Sequence, residues 1–279
     1  MDQGVCGLSS VITPKMGVPQ GSVLGPLLFI VFINSLPSAC VDRICRPIMY
    51  ADDTNFLFKG GDVPTIQMAA VNALMSVRQW CAENQLLINM NKTEAMFFCS
   101  SWNKQVFPDS IVVGEDVLPI KESVKFLGLT IDANLRWEQH VTKLRSKLNG
   151  IIFTLHMMKR QVSLSTLKVL YYSNFQSVMG YGIIFWGSVS AADGIFVSQK
   201  WALRTILGLT YRESCRGHFK QNGFLTFYGV YILKLLCFSR KMKLILLNIE
   251  IQITHEDFYL ITLQSTGQHS MRGAPSIWQ

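Results

Sequence analysis

Two adjacent carboxylates, Asp52 and Asp53, are the residues whose types and spacing point most directly to chemistry. They lie between two apolar segments with β-strand character, residues 44–49 and 55–58, which predicts that they form the tip of a hairpin. Neighbouring side chains of a regular strand point to opposite faces, so a turn is needed before both acids can approach one ion. Paired carboxylates suit Mg²⁺, which binds oxygen ligands from proteins and from substrate phosphates. The alternative is a solvated Asp-Asp turn, the commoner origin of an isolated pair.

Three further motifs surround the acidic pair. Residues 17–22 (GVPQGS) precede it, and residues 89–94 (NMNKTE) and 124–132 (VKFLGLTID) follow it. The set resembles the reverse transcriptases of non-LTR (LINE-type) retrotransposons, most closely the jockey-like group. In that family a P-Q-G-S loop and helix, a Y-A-D-D hairpin, a K-T segment and an L-G hairpin occur in the same order. One such match would be weak, whereas four in series are specific.

The resemblance continues through most of the chain. Residues 135–140 (LRWEQH) are similar to the family's entry to its thumb helix. Further similarity, to the C-terminal part of the family, lies at residues 199–204 (QKWALR), 214–216 (SCR), 224–226 (FLT) and 231–232 (YI).

The resemblance implies an α+β fold. We expect a partial right-hand polymerase palm, an antiparallel sheet with packed helices, followed by a helical thumb and a helical C-terminal region. The expected domains are a partial palm over residues 1–110, a primer-grip-like hairpin over 111–134, thumb-like helices over 135–185, and a helical C-terminal region with a loose tail over 186–279.

Periodicity and turn residues predict the local structure. Ser22 is a credible N-cap for an apolar helix to about Asn34. Pro64 suits the first turn of a second helix that runs to about Asn84, and helical spacing predicts that its inward residues are Ile66, Ala70, Leu74, Val77 and Cys81. The tail after Thr254 is mixed and polar, and we expect it to be loosely ordered. The predicted strands are residues 93–99, 111–113, 117–120 and 124–131.

The resemblance implies transfer of a deoxynucleotide, in which a primer 3′-hydroxyl attacks the α-phosphate on an RNA template. Asp52 would be the principal metal ligand of the hairpin and Asp53 its less critical neighbour, with Tyr50 beside the primer end. Mg²⁺ is the expected cofactor, and Mn²⁺ is the alternative. The expected partners are an RNA template, a DNA primer and deoxynucleotides.

Residues Pro19, Gln20, Gly21 and Ser22 match the family's loop that supports the incoming nucleotide and the template. Glycine at position 21 would let the backbone approach a ligand closely. The alternative interpretation of this loop is an ordinary turn at the entry to a helix.

Two later motifs take roles from the same resemblance. Lys92 matches the lysine proposed to protonate the leaving pyrophosphate, and the alternative is a surface lysine. Leu127 and Gly128 match the hairpin that grips the primer.

The family also has a fingers region and a strand bearing the first metal-binding aspartate, and neither is found in this sequence. Asp2 and Asp42 are poor substitutes, since Asp2 lies too near the P-Q-G-S loop and Asp42 lies on the predicted connection between that loop and the acidic hairpin. Transfer by two metals needs ligands for both the attacking and the leaving oxygens. We therefore expect a truncated polymerase, inactive without an upstream fingers or endonuclease segment. The alternatives are a non-catalytic nucleic-acid-binding remnant and a functionless product of a decayed element.

The net charge is +8 with a pI of about 9.2, which favours nucleic acid or anionic surfaces as partners. Between residues 137 and 160 apolar residues recur at steps of three and four, which predicts one buried helix face. Lys143, Arg145 and Lys147 fall off that stripe and match the thumb helix that tracks the primer–template backbone. The alternative is a solvated charged face.

Several classes of protein are disfavoured. The seven cysteines include no C-x-x-C pair and do not group with the histidines, which argues against a zinc site. No signal peptide or transmembrane helix is recognisable, and we expect an intracellular protein, nuclear or cytoplasmic, without a membrane partner. Hydrophobic residues make up 49% and charged residues 16%, so we expect apolar surface to be left uncovered.

Overall fold

The computed structural model describes residues 21–40, 44–98, 107–246 and 258–265. The chain divides into two units: the first contains residues 1–121 and 256–279, and the second contains residues 122–255. Both helices and small antiparallel sheets are present, which confirms the α+β class.

The first unit combines a four-stranded sheet with helices. Its elements in chain order are α1 (Gly25–Ile33), α2 (Leu36–Ala39), β1 (Cys45–Tyr50), β2 (Asp53–Gly60), α3 (Val63–Glu83), β3 (Glu94–Phe98), β4 (Ser110–Val113) and β5 (Asp116–Pro119).

The second unit is a short hairpin followed by helices. Its elements are β6 (Ser123–Phe126), β7 (Leu129–Asp132), α4 (Glu138–Met158), α5 (Leu164–Leu170), a π-helical turn (Tyr171–Gln176), α6 (Ser177–Gly180), α7 (Ile183–Trp186), α8 (Asp193–Leu207), α9 (Arg216–Gln221) and α10 (Phe227–Leu246). The chain then returns to the first unit with β8 (Phe258–Ser265).

Helix α3 forms as the sequence predicts and supplies much of the core of the first unit. Asp62 caps its N-terminus, because the carboxylate accepts hydrogen bonds from the Thr65 N–H at 2.8 Å and from the Thr65 hydroxyl at 2.9 Å. Pro64 lies in the first turn of α3, where a backbone N–H would have no acceptor within the helix, so proline's lack of an N–H costs no helical hydrogen bond. The five predicted inward residues are all buried: Ile66, Ala70, Leu74, Val77 and Cys81.

The sheet of the first unit has the order β1-β2-β8-β3, with every neighbouring pair antiparallel. Strand β2 places Phe56 and Phe58 in the core beside Ala95 and Phe97 of β3, and all four side chains are buried. Three strands of this sheet come from residues 45–98, whereas β8, which lies between β2 and β3, comes from residues 258–265.

The loose tail expected after Thr254 is wrong for residues 258–265, which form β8 in the interior of the sheet. The segment reads FYLITLQS, rich in the aromatic and β-branched residues that favour strands. Both of its edges are paired, with β2 from Asp53 to Gly60 and with β3 from Glu94 to Phe98. Pairing on both sides satisfies its backbone groups, which outweighs the polar surroundings that suggested a tail. Residues 266–279 lie outside the described residues.

The apolar stripe predicted for residues 137–160 is the buried face of α4. Trp137, Val141, Leu144, Leu148 and Leu155 are buried in the core of the second unit. That core also contains Tyr171, Phe175 and Trp186, each almost fully buried. The helical period therefore identified the inward side of the longest helix of this unit.

Two boundaries differ from the sequence prediction. Helix α1 begins at Gly25, two residues later than Ser22 as N-cap predicts, although the Ser22 Oγ still accepts a hydrogen bond from the Gly25 N–H at 3.1 Å. The single strand predicted over 124–131 is a hairpin, because Leu127 and Gly128 have positive φ and reverse the chain. Within the ranges described above, no helix is both long and apolar enough to span a bilayer.

A buried glutamine links three segments of the second unit. The Gln199 Nε2 donates to the Tyr171 Oη and to the Leu225 carbonyl, both at 2.8 Å. Its Oε1 accepts from the N–H of Phe227, the first residue of α10, at 2.6 Å. An amide side chain thus satisfies a helix N-terminus that would otherwise be buried without a partner.

Replacing Gln199 by leucine is expected to destabilise the chain by about 2 kcal/mol or more, because the Phe227 N–H loses its acceptor and the Leu225 carbonyl loses its donor. The measurement is the free energy of unfolding in urea. Gln161→Leu, at an exposed position of the same unit, is the matched control. Equal stability of the two variants would contradict a structural role for the amide.

Candidate active site

The turn between β1 and β2 brings the two acids together. Tyr50 pairs with Asp53, so Ala51 and Asp52 are the only residues of the loop. Ala51 has a φ of 53°, the left-handed region that glycine usually occupies at the first position of a type II′ hairpin turn. A side chain in this region costs about 1–2 kcal/mol, so the tip holds backbone strain. Such strain is common at functional sites.

The two carboxylates differ in environment. Asp52 is exposed at the turn, whereas Asp53 is half-buried as the first residue of β2. Burial raises the pKa of the Asp53 carboxyl, and the neighbouring charge of Asp52 raises it further. A bound cation would offset both effects, because it favours the ionised form of each acid.

Strand β8 lies directly beside the acidic tip. Asp53 pairs with Ser265, and residues 258–265 contain no acid. In the described part of the chain, no group of three or more His, Cys, Asp or Glu side chains is arranged to hold a metal ion. Asp52 and Asp53 therefore supply the carboxylates at this tip, and Asp2 and Asp42 lie outside the described residues.

Two buried polar residues, Thr54 and Asn55, follow the acidic tip on β2. Asn55 donates from Nδ2 to the Ile48 carbonyl at 3.4 Å, which links β2 back to β1 next to the turn. The Thr54 hydroxyl is buried with no hydrogen-bond partner in the described part of the chain. Neither Thr54 nor Asn55 was assigned a role from the sequence. The signal that could have identified them is that two polar residues directly follow the Asp-Asp pair, where a buried strand begins.

Lys92 lies at the same end of the sheet as the acids. It is exposed in a 3-10 turn that leads into β3, where Glu94 is level with Leu263 of β8 and with Asn55 of β2. Lys92 precedes Glu94 by two residues, as Asp53 precedes Asn55, so Lys92 lies near the same height along the sheet as Asp53. Two strand spacings separate β3 from β2, or about 10 Å between backbones.

The predicted nucleotide loop is described only in part. Pro19 and Gln20 lie outside the described residues. Gly21 is exposed with a φ of 83°, and no atom lies within 4 Å of where a Cβ would stand. Glycine is required there by conformation, and the open space leaves its backbone accessible. Tyr50 ends β1 with 64% of its surface exposed.

The hairpin turn at Leu127 and Gly128 is held in place by contacts with Tyr181 and Gly182. The Tyr181 hydroxyl donates to the Leu127 carbonyl, and its ring would lie 3.5 Å from a Cβ at Gly128. Gly182, which follows, has a φ of 59° and packs against Leu129. Residues 180–182 (GYG) thereby fix the shape of the turn, a role that the sequence did not reveal.

Two polar side chains attach this hairpin to α4. The Asp132 carboxylate accepts hydrogen bonds from the N–H groups of Arg136 and Trp137, where the chain enters the helix with a left-handed Trp137. The His140 Nδ1 accepts from the Thr130 N–H at 3.3 Å, so the ring must be neutral at that nitrogen. Burial lowers the pKa of His140, and the charge of Lys143 lowers it further.

The three predicted backbone-contacting cations of α4 are all exposed. Lys143 and Lys147 are four residues apart and share a face, with the Lys143 Nζ 3.5 Å from the Thr130 hydroxyl. Arg145 lies on another side of the helix, within 3.6 Å of a Cβ built at Gly194 of α8. The three residues therefore do not form one stripe.

Comparison with known proteins agrees with the motifs. Residues 6–131 match the family described as reverse transcriptase (RNA-dependent DNA polymerase). The chain is 27% identical over 215 residues to the RNA-directed DNA polymerase from mobile element jockey of Drosophila melanogaster, covering 73% of this chain and 23% of that protein.

Two other proteins of Drosophila melanogaster show similar identity. They are the probable RNA-directed DNA polymerases from transposon BS, 28% identical over 71% of this chain and 23% of the relative, and from transposon X-element, 26% identical over 61% and 19%. The chain thus spans about a fifth of the length of these relatives. No solved structure matches the chain.

Asp52→Asn is expected to lower the pKa of Asp53, because it removes the charge that adds to the effect of burial. Since the folded-state pKa of Asp53 exceeds the unfolded value, its ionisation costs stability as the pH rises through that range. The variant should therefore lose less stability over this range than the wild type. Carboxyl ¹³C titration by NMR measures the pKa, and an unchanged value would contradict the coupling.

Tyr181→Phe is expected to loosen the hairpin turn, because it removes the hydrogen bond to Leu127 and keeps the ring over Gly128. If the free energy of opening this turn falls by about 1 kcal/mol, hydrogen exchange of the backbone amides in the β6–β7 hairpin should become roughly fivefold faster. Tyr172→Phe is the control, since its hydroxyl donates to the Gly223 carbonyl at 3.0 Å, away from the hairpin. Equal exchange in both variants would show that Tyr181 does not hold the turn.

Proposed function

Because residues 6–131 belong to the reverse transcriptase family, we propose that this chain supplies part of an RNA-directed DNA polymerase of a non-LTR retrotransposon. The observation that carries the proposal is the pair of adjacent carboxylates at a strained two-residue turn inside the matched region. The substrates are an RNA template, a DNA primer and deoxynucleotides.

Asp52 and Asp53 are the residues that would hold Mg²⁺, with Mn²⁺ as the alternative. Their oxygens are ligands of the type both cations prefer, and the raised pKa of Asp53 is what a cation at this position would reverse. When bound, the ion would neutralise phosphate charge and favour the ionised primer hydroxyl.

The other residues of the first unit would position the substrates. The exposed ring of Tyr50 offers an apolar surface for the sugar at the primer end. Gly21 leaves its N–H and carbonyl open to a nucleotide. Lys92, at the same end of the sheet as the acids, would donate a proton to the departing pyrophosphate.

The second unit would hold the nucleic-acid backbone. The Leu127-Gly128 turn, braced by Tyr181, presents a fixed backbone to a primer. Lys143 and Lys147 would contact phosphates from one face of α4, and Arg145 from another side. Contacts of this kind weaken with salt and do not depend on base sequence.

A second candidate function is nucleic-acid binding without catalysis. It is favoured by the absence, in the described ranges, of a third carboxylate near Asp52 and Asp53. Transfer by two metals requires ligands for the attacking and the leaving oxygens. We infer that an acid from another segment must join this pair before the reaction can run.

The decisive experiment is extension of a labelled DNA primer on an RNA template in Mg²⁺ or Mn²⁺. Wild type, Asp52→Asn and Glu115→Gln are compared. Glu115 is an exposed acid in the β4–β5 turn, so its loss changes the net charge equally at a different hairpin. Activity that Asp52→Asn abolishes and Glu115→Gln retains would support the polymerase.

A second measurement separates binding from chemistry. Bound Mn²⁺ broadens NMR signals of nearby amides, and residues 51–53 are expected to broaden in the wild type and not in Asp52→Asn. If Mn²⁺ broadens the amides of residues 51–53 and the protein binds primer–template, but the primer is not extended, the non-catalytic function is supported. Equal broadening in both proteins would overturn the assignment of Asp52 as a metal ligand.

A further inference from the structure

Trp201 and Tyr211 form an exposed aromatic pair on the second unit. Trp201, on α8, has 45% of its surface exposed, and Tyr211, in the following turn, has 71%. Their ring centroids lie 5.3 Å apart with an interplanar angle of 55°. Neither ring belongs to the hydrophobic core of the unit, so each retains an aromatic face in water.

Hydrogen bonds fix the turn that presents Tyr211. The Glu213 N–H donates to the Thr210 carbonyl at 3.2 Å, which leaves Tyr211 and Arg212 as its two central residues. The Arg204 Nη2 donates to the Glu213 carbonyl at 3.0 Å and ties the turn to α8. The two rings are therefore held in place before any ligand arrives.

The sequence around the pair is rich in cations. Residues 200–220 contain five Lys or Arg and one acid, Glu213. The Glu213 carboxylate accepts from the Thr210 N–H at 3.2 Å and lies 3.3 Å from the His218 Nε2, so its charge is partly engaged. The five cations are Lys200, Arg204, Arg212, Arg216 and Lys220, of which the last three are exposed.

The start of α9 is held next to α8. The Cys215 thiol is buried and donates to the Lys200 carbonyl at 3.8 Å. This contact holds the start of α9, where Arg216 is the first residue, near Lys200, the neighbour of Trp201 in the sequence. The Lys200 Nζ lies 4.5 Å from the Phe196 ring centroid, which keeps this cation close to the helix.

Exposed rings flanked by cations match the chemistry of an unpaired nucleic-acid strand. Every base has a π-face that can stack on an aromatic side chain, and the phosphates between bases require positive charge. Paired bases do not offer these faces, so a duplex would meet only the cations. We propose that Trp201, Tyr211 and the five cations form a binding surface for single-stranded nucleic acid, the Trp201–Tyr211 platform. It uses no residue of the acidic hairpin or of α4, and therefore goes beyond the polymerase function.

The test is fluorescence anisotropy with labelled oligouridine, oligothymidine and a duplex of the same length. The full chain carries Lys143→Gln and Lys147→Gln in every sample, so that α4 does not obscure the platform. Trp201→Leu and Tyr211→Leu are each expected to weaken single-strand binding about tenfold, since stacking is lost while an apolar side chain remains. Trp201→Phe should restore most of the affinity.

Tyr228→Leu is the matched control. Tyr228 is also exposed on this unit, but its hydroxyl donates to Asp193, so its surroundings do not favour phosphate. Binding is expected to change less than twofold in this variant. Unfolding midpoints of all variants establish that each is folded.

Salt dependence tests the cations. Arg212→Gln and Arg216→Gln should each reduce the slope of log affinity against log salt by about 0.7, the value for one phosphate contact on a single strand. The ratio of oligouridine to oligothymidine affinity shows whether RNA or DNA is preferred.

Three results would overturn the platform: leucine variants that bind as the wild type does, a duplex that binds as tightly as a single strand, or equal competition by polyglutamate. The last would show an electrostatic surface that an acidic protein could equally occupy. Mn²⁺ broadening at residues 51–53 is measured independently of single-strand binding, so failure of the platform and failure of the polymerase proposal are distinguishable.

Discussion

The two-residue turn at Ala51 and Asp52 is the constraint on which the first unit's candidate site depends. A longer loop would separate the carboxylates, and a regular strand would direct them to opposite faces. The turn places Asp52 outside the sheet and Asp53 at its first paired position. Left-handed backbone at Ala51 and like charge at the acids both oppose this arrangement. It persists because β2, whose phenylalanines fill the core, is paired along both edges.

In the second unit, residues from the family-like motifs act as supports rather than as exposed contacts. Asp132 and His140 join the hairpin to α4, and Gln199 satisfies the start of α10. Each is a polar group whose partner is a backbone N–H. Loss of any of them would leave a polar group without its partner, which is more costly than loss of a solvated side chain. Their neighbours, Lys143 and Trp201, remain exposed and available to ligands.

Sequence reasoning succeeded where the signal was local. The period of α3 and α4 identified their buried faces, and the acidic pair identified its hairpin, because these patterns depend on near neighbours. It failed for β8, since no local feature states which distant strands a segment will pair with. The hydrogen bond from Tyr181 to Leu127 was also not predicted, because it joins residues far apart in the chain. Lys143 and Arg145 were grouped because both fall off the apolar stripe and match the family's thumb helix, whereas in the structure they lie on different sides of α4. The roles of the site residues themselves stay predictions.

Insertion of β8 between β2 and β3 has a consequence for synthesis of the chain. Asp53 pairs with Ser265, so this sheet cannot close until residue 265 has left the ribosome. Until then, the facing edges of β2 and β3 expose backbone donors and acceptors that can pair with other chains. Contacts so distant in sequence also form slowly, because loop closure precedes any gain from pairing. The emergence of β8 therefore sets the earliest time at which the first unit can complete its sheet.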